Sequence, residues 1–307
     1  MIDSRIKFRH LQTFLEVARQ KSVMKAAAIL HISQPAVTKT IREMESALGV
    51  ALFERDGRGI RITRYGEVFL RHAGAAITAL RQGIDSVSNE RSGGGLPIRI
   101  GALPTVSTRV MPHAISLFLQ EKTQSRIKIV TGENAVLLEQ LRLGDLDLVV
   151  GRLAAPEKMT GFSFEHLYSE QVVFAVSSNH PLLNSQEDIF SRLAEFPILM
   201  PTKASIIRPF VDRFLIVNGV AALPTQIETV SDAFGRAFVR SSNAVWIISS
   251  GVVANDVEDG ILALLPIDTT ETKGPVGLTM RADITPSLPL MILMQTIREA
   301  ATDASRH

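Results

Sequence analysis

The residues of this sequence best spaced for chemistry lie near its start. Gln34, Thr38, Lys39 and Arg42 alternate with Val37, Ile41 and Met44 at intervals of three and four. That pattern buries one face of a helix and leaves the other to solvent. On the free face, Gln matches the edge of adenine, Thr reaches a methyl or a phosphate, and Lys and Arg reach guanine or phosphate. Ser33 stands as the N-cap, and Pro35 falls in the first turn, where its missing N–H costs nothing. The positive end of such a helix suits a backbone phosphate. Arg55, Arg58 and Arg61 follow on two short β-prone runs around Asp56-Gly57-Arg58-Gly59, a hairpin or wing placed to grip flanking phosphates or the minor groove. A three-helix bundle with a solvated basic face would carry the same residue types, so both readings stand at this point.

A second set of residues is suited to holding an anion. Thr105 and Ser107 follow the β-prone run that ends at Gly101-Ala102, and Thr202 and Ser205 follow a similar run ending at Met200. Hydroxyls between a strand end and a helix start offer O–H and N–H groups to an anion, although they also serve as ordinary helix caps. Arg152 lies just beyond the apolar run Val149-Val150-Gly151 and supplies a countercharge. Arg208 adds charge or serves the surface, and His113 reads as a packed helix residue.

These residues need elements to position them. Apolar spacing predicts helices over 8–19, from Ser22 through Leu30, over 33–48 and over 64–91, the last about 40 Å long at 1.5 Å per residue. Phe69, Ala73, Ala76, Leu80, Ile84 and Val87 form a near-heptad seam on that long helix, which favours a dimer contact over packing on its own small domain. Ser92-Gly93-Gly94-Gly95 reads as a hinge. Beyond it, short apolar strands alternate with helices, which argues for a parallel sheet, then a second α/β unit, then returning strands at 261–266 and 276–281 and a final helix over 288–301. Two α/β lobes joined by crossing strands form a clamshell that closes on a small ligand at strand ends.

Composition sets the limits. The chain has 307 residues, no cysteine and a formal charge of +2. Thiolate metal sites, disulfides and a cysteine nucleophile are excluded. Residues 1–94 carry +6 and the remainder −4, so a polyanion partner fits the first part better than the second. The start lacks a signal-peptide core, and no apolar run is long enough to span a membrane. The sequence has no P-loop, no G-x-S-x-G, no G-x-G-x-x-G and no H-E-x-x-H, and its histidines are scattered, so neither enzyme nor cofactor is expected.

The run from Phe14 through Val17-Ala18, Ser22, Ala26-Ala27, Leu30, Ser33-Gln34-Pro35-Ala36-Val37-Thr38, Ile41, Glu45, Leu48-Gly49, Leu52-Phe53 and Arg55 to Thr63 and Gly66 resembles the DNA-binding domain of the LysR-type transcriptional regulators. Met44 stands where leucine is commoner, and Ile62 replaces the usual leucine before Thr63; both conserve volume. The resemblance extends through the long helix, hinge and clamshell. It implies an α/β chain in three parts: a winged helix-turn-helix over 1–66, a dimerisation helix and hinge over 67–95, and a two-lobed effector domain, like a periplasmic binding protein, over 96–307. It implies that Ser33, Gln34, Pro35, Thr38, Lys39 and Arg42 lie on the recognition stretch. Thr105, Ser107, Arg152, Thr202 and Ser205 fall at the effector site, with Ser231 and Phe234 as weaker candidates. The implied partners are double-stranded DNA at an interrupted palindrome, a small carboxylate, RNA polymerase and further copies of the chain as dimer or tetramer, in the cytoplasm. Lys7-Phe8-Arg9-His10-Leu11-Gln12-Thr13, residues 130–141 and residues 228–238 resemble one branch of the family, activators of protocatechuate-degradation genes, which implies β-carboxy-cis,cis-muconate as inducer. Regulation of another operon by a different small acid, a free-standing solute-binding protein and an enzyme are the alternatives.

Overall fold

The computed structural model of the chain describes residues 6–57, 59–92, 97–220 and 222–304. They divide into two units, one of residues 1–96 with 139–146 and one of 97–138 with 147–307.

In the first unit, the three-and-four spacing produces α1 (Phe8–Gln20), α2 (Val23–Ile29) and α3 (Gln34–Leu48). Ser22 and Ser33 cap α2 and α3 by accepting the N–H groups of Lys25 and Ala36, each at 3.3 Å. The turn between them passes through His31 in the left-handed region (φ 54°). Phe14 is fully buried, with the rings of Phe53 and Phe69 each centred 5.2 Å from its own. Val37 and Met44, also fully buried, fix which face of α3 turns inward. A wing of β1 (Phe53–Asp56) and β2 (Gly59–Ile62) pairs antiparallel. Glu45 ties α3 to the wing by accepting the N–H groups of Leu52 at 2.7 Å and Phe53 at 3.2 Å. The helix α4 (Arg64–Ser92) follows. Thr63 caps its start by accepting the Gly66 N–H at 3.1 Å, and a Cβ on Gly66 would strike the Leu52 carbonyl, so only glycine fits. The apolar series on α4 divides: Ala73 is buried in the unit's core, whereas Leu80, Ile84 and Val87 are exposed. The expected hinge at Gly93–Gly95, and Arg58, lie outside the described residues.

The second unit holds two five-stranded sheets. The chain supplies β3 (Ile98–Ala102), α5 (Pro104–Ser107), α6 (Val110–Gln120), β4 (Ile127–Thr131), α7 (Asn134–Leu143, whose residues from 139 onward belong to the first unit), β5 (Leu148–Arg152) and β6 (Phe162–Glu170). It continues with β7 (Val172–Ser177), α8 (Ile189–Arg192), β8 (Ile198–Met200), α9 (Arg208–Val217), β9 (Gln226–Glu228), α10 (Asp232–Ser241), β10 (Val245–Ser249), α11 (Ser250–Glu258) and β11 (Leu262–Leu264). It ends with β12 (Gly274–Arg281) and α12 (Leu288–Ala304). The first sheet runs β4-β3-β5-β12-β6 and the second β11-β7-β10-β8-β9. Within each, the βαβ strands are parallel and the crossing strands antiparallel. The sheets are therefore mixed, because β12 and β7 arrive from the other lobe rather than through a helical crossover. The chain passes between lobes at Gln171 and again between β11 and β12. Spacing did not predict α11, which opens directly from the strand end with Ser249 as its N-cap.

Candidate nucleic-acid interface and ligand cleft

On the first unit, the inward turn of Val37 and Met44 leaves Ser33, Gln34, Pro35, Lys39 and Arg42 exposed, with Thr38 half-buried between them. Lys7 and Arg9, from the start of α1, line the same groove. Spacing missed them because neither belongs to the apolar stripe of α1; two basic residues at its first turn were the available signal. Glu43 sits among these cations, 3.9 Å from both Arg9 and Lys39 and 3.4 Å from Nε2 of the buried His10. The Arg9 and Lys39 pairs are exposed, and pairs of this kind contribute little to stability. On the wing, Arg55 is exposed, and Arg61 pairs with Glu54 at 2.7 Å. The surface that results carries a helix face with polar and cationic tips, beside a hairpin that presents the exposed Arg55 and the Glu54-paired Arg61. It has the shape and the donor groups for a major groove with phosphate contacts on either side.

In the second unit, a cleft of about 460 Å³ opens between the two sheets' strand ends. Thr105, Arg152, Thr202, Ser205 and Ser231 all line it. Ser107 and Phe234 are not among its lining residues: the Ser107 hydroxyl, at the end of α5, donates back to the Leu103 carbonyl four residues earlier at 2.9 Å, and Phe234 stacks on Phe238 at 5.5 Å. Arg208 uses its donors on Asp212, Glu228 and the Pro201 carbonyl, a structural role. His113 is exposed rather than packed, 3.6 Å from Asp303, because its position on α6 faces away from the sheet.

Arg152 is the cation of this cleft. It is 3% exposed, its guanidinium lies 4.8 Å above the Phe210 ring, and it donates to the Thr272 carbonyl. Glycine at 274 leaves room for the guanidinium; any Cβ there would collide with it. Its Nη1 is buried without a hydrogen-bond partner. An unpaired guanidinium N–H in a buried site is costly unless a ligand completes it. Burial holds the Arg152 pKa below its ordinary value, and the nearby Glu170 carboxyl partly restores it.

Glu170 lies near this cation, and Glu133 and Asp232 line the same cleft. Glu170 is buried at the end of β6 and accepts from the Thr105 hydroxyl and from the Gly251 N–H at 3.4 Å, while its Oε1 has no partner. Burial raises its pKa, against the lowering effects of the Thr105 bond and Arg152. Asp232, at the start of α10, is raised by burial and lowered by Arg236. Glu133, before α7, accepts the Thr202 hydroxyl at 2.8 Å. Asn134 donates to the Arg152 carbonyl at 3.1 Å and fixes that strand end. None of these was picked out from the sequence, although Thr131-Gly132-Glu133-Asn134 repeats the strand, polar turn and helix pattern of the other two loops. The starts of α7 and α10 both border the cleft and add positive dipole to it. The arrangement can hold a small anion by one guanidinium, several hydroxyls and backbone N–H groups. Among the described residues no cluster of three or more His, Cys, Asp or Glu could hold a metal, and no helix is long and apolar enough to cross a membrane.

Residues 8–67 match the family described as bacterial regulatory helix-turn-helix protein, lysR family, and residues 91–302 match the LysR substrate binding domain. The chain is 72% identical to the HTH-type transcriptional regulator PcaQ of Agrobacterium fabrum, over 98% of this chain and 97% of that one. It is 33% identical to the uncharacterized HTH-type transcriptional regulator YdcI of Escherichia coli, over 98% and 97%. In fold it is similar to a full-length OxyR variant of Pseudomonas aeruginosa, with a TM-score of 0.62 at 20% identity, covering 95% of each chain.

Proposed function

This chain belongs to the LysR family of bacterial helix-turn-helix transcriptional regulators, and from that membership we propose that it activates genes of protocatechuate degradation when β-carboxy-cis,cis-muconate occupies the cleft of its second unit. As a member of that family it is a DNA-binding regulator with a substrate-binding domain, and not an enzyme. The observation that carries the pathway is the 72% identity to PcaQ along nearly the whole chain. The buried, unpaired Nη1 of Arg152 supports an anionic effector.

In this reading Ser33, Gln34, Pro35, Thr38, Lys39 and Arg42 meet an interrupted palindrome, and Arg55, Arg58 and Arg61 hold the flanking backbone. Thr105, Arg152, Thr202, Ser205 and Ser231 receive the effector. The parts of the chain act as a winged helix-turn-helix over 1–66, a linker helix over 67–95 and an effector domain over 96–307. The exposed Leu80, Ile84 and Val87 on α4 support a dimer through that helix, two dimers form a tetramer on DNA, and the assembly works in the cytoplasm. The effector binds one arrangement of the lobes better than the other, shifts the population of assembled shapes, and so alters the DNA bend and the access of RNA polymerase. An effector with equal affinity for both states would shift nothing.

The two carboxyls lining the cleft, Glu133 and Asp232, favour a second reading within the family, in which another operon answers to an acid of lower charge. Calorimetric titration with β-carboxy-cis,cis-muconate, cis,cis-muconate and protocatechuate separates the two. Selective micromolar binding of the first supports the proposal; binding of none leaves the family assignment and removes the pathway.

A further inference from the structure

Resting on the reading of the cleft as an anion site, we propose that Glu133 is a built-in competitor of the effector: it engages Thr202 across the cleft in the free protein and limits the negative charge the cleft accepts. Glu133 belongs to the first lobe, in the loop between β4 and α7, and Thr202 to the second, in the loop between β8 and α9. Their hydrogen bond, 2.8 Å between residues 69 positions apart, links the lobes at the lining of the cleft itself.

A threonine hydroxyl has one proton to donate. While Glu133 accepts it, an incoming carboxylate cannot. An anion that takes this donor must displace a carboxyl oxygen and then remain beside the like charge it has displaced, in a partly buried space where screening is weak. The other wall adds Asp232, and among the lining residues the one guanidinium is that of Arg152. Glu133 therefore acts in two ways through one contact. It holds the lobes together without ligand, and its charge discriminates against each added carboxylate on the ligand. Rejection of this kind is as much a source of specificity as attraction.

Glu133→Gln isolates the charge, because an amide oxygen still accepts the Thr202 proton with the same shape. Thr202→Val removes the donor at nearly constant volume. In calorimetric titrations of the full chain, Glu133→Gln is expected to tighten β-carboxy-cis,cis-muconate by about tenfold, to tighten cis,cis-muconate by less, and Thr202→Val to weaken both. Unchanged or weaker binding of the tricarboxylate by a folded Glu133→Gln protein overturns the proposal. If neither wild type nor Glu133→Gln binds either acid, the effector assignment fails, and the ligand-free protein decides the matter alone. Amide hydrogen exchange over 131–136 and 201–207 is then faster in Glu133→Ala and Thr202→Val than in wild type if the link exists. Equal exchange rates in all three overturn it.

Discussion

The hydroxyl of Thr105, at the cleft, donates to the carboxyl of Glu170, which is buried where the chain passes from one lobe to the other. The Thr105 hydroxyl and the Gly251 N–H serve Oε2, Ser249 lies close enough to lower the acid's pKa as well, and Oε1 is buried without a hydrogen-bond partner. Burial therefore favours the neutral acid and raises the Glu170 pKa above its ordinary 4.5, with the Thr105 bond and Arg152 opposing. The sign of the linkage follows. Stability from this group is fully present below the unfolded value and is lost as pH rises through the folded one. Glu170→Gln, which cannot ionise, is expected to gain on wild type in Tm as pH increases from about 5 to about 8. A thermal unfolding series over that range checks it, and parallel curves would remove Glu170 as the source.

The free face of α3 predicts a difference between two kinds of arginine. Arg42→Ala should cost about 1–3 kcal/mol on the cognate site if Arg42 contacts a base, with relaxed specificity at one position. Arg55→Ala should weaken all sequences alike and flatten the salt dependence by about one unit of slope. Fluorescence anisotropy on cognate and scrambled duplexes at several salt concentrations distinguishes them.

Arg152 has one guanidinium nitrogen committed to Thr272 and another without a partner. Arg152→Ala is expected to abolish the response to effector and to leave operator affinity within about twofold, a difference of about 0.4 kcal/mol. Loss of both would assign Arg152 to the fold instead. Footprinting with and without effector reads both quantities on one gel.

Phe14 is the centre of the first unit's core, packed between Phe53 of the wing and Phe69 of α4. Phe14→Ala should destabilise that unit by about 3–5 kcal/mol. Because the chain has two units, the effect should appear in one of two unfolding transitions in urea, with the other unmoved.

Much of the DNA-facing unit was legible because its signals are local. Ser22, Ser33 and Gly49 punctuate the helices within a few residues of the apolar positions they delimit, and the two hydroxyl loops at Thr105 and Thr202 are visible as strand, polar turn and helix. The cleft's electrostatics were not legible. Glu133 meets Thr202 and Glu170 meets Thr105 across 69 and 65 positions, and no periodicity reports such pairs. Phe210 beneath Arg152 looks in sequence like any apolar residue of α9. Ser107 and Thr105 are equivalent as residue types, yet rotation around one turn of α5 sends one hydroxyl to a backbone carbonyl and the other to a buried acid. The run that becomes α11 carries no strong stripe to separate it from the strand before it.

The position of β12 bears on how the chain can be made. It lies between β5 and β6 in the first sheet, and its Val276 together with Leu293 and Ile297 of α12 is buried in the first lobe's core. During synthesis β5 and β6 leave the ribosome long before this partner exists, and the whole second lobe is translated in between. Such non-local pairing is slow, and it leaves two strand edges open to other chains in the interval. A nascent chain stopped before Gly274 therefore lacks part of its first lobe, not just a tail, and should be taken up by chaperones or proteases rather than accumulate as a shorter regulator.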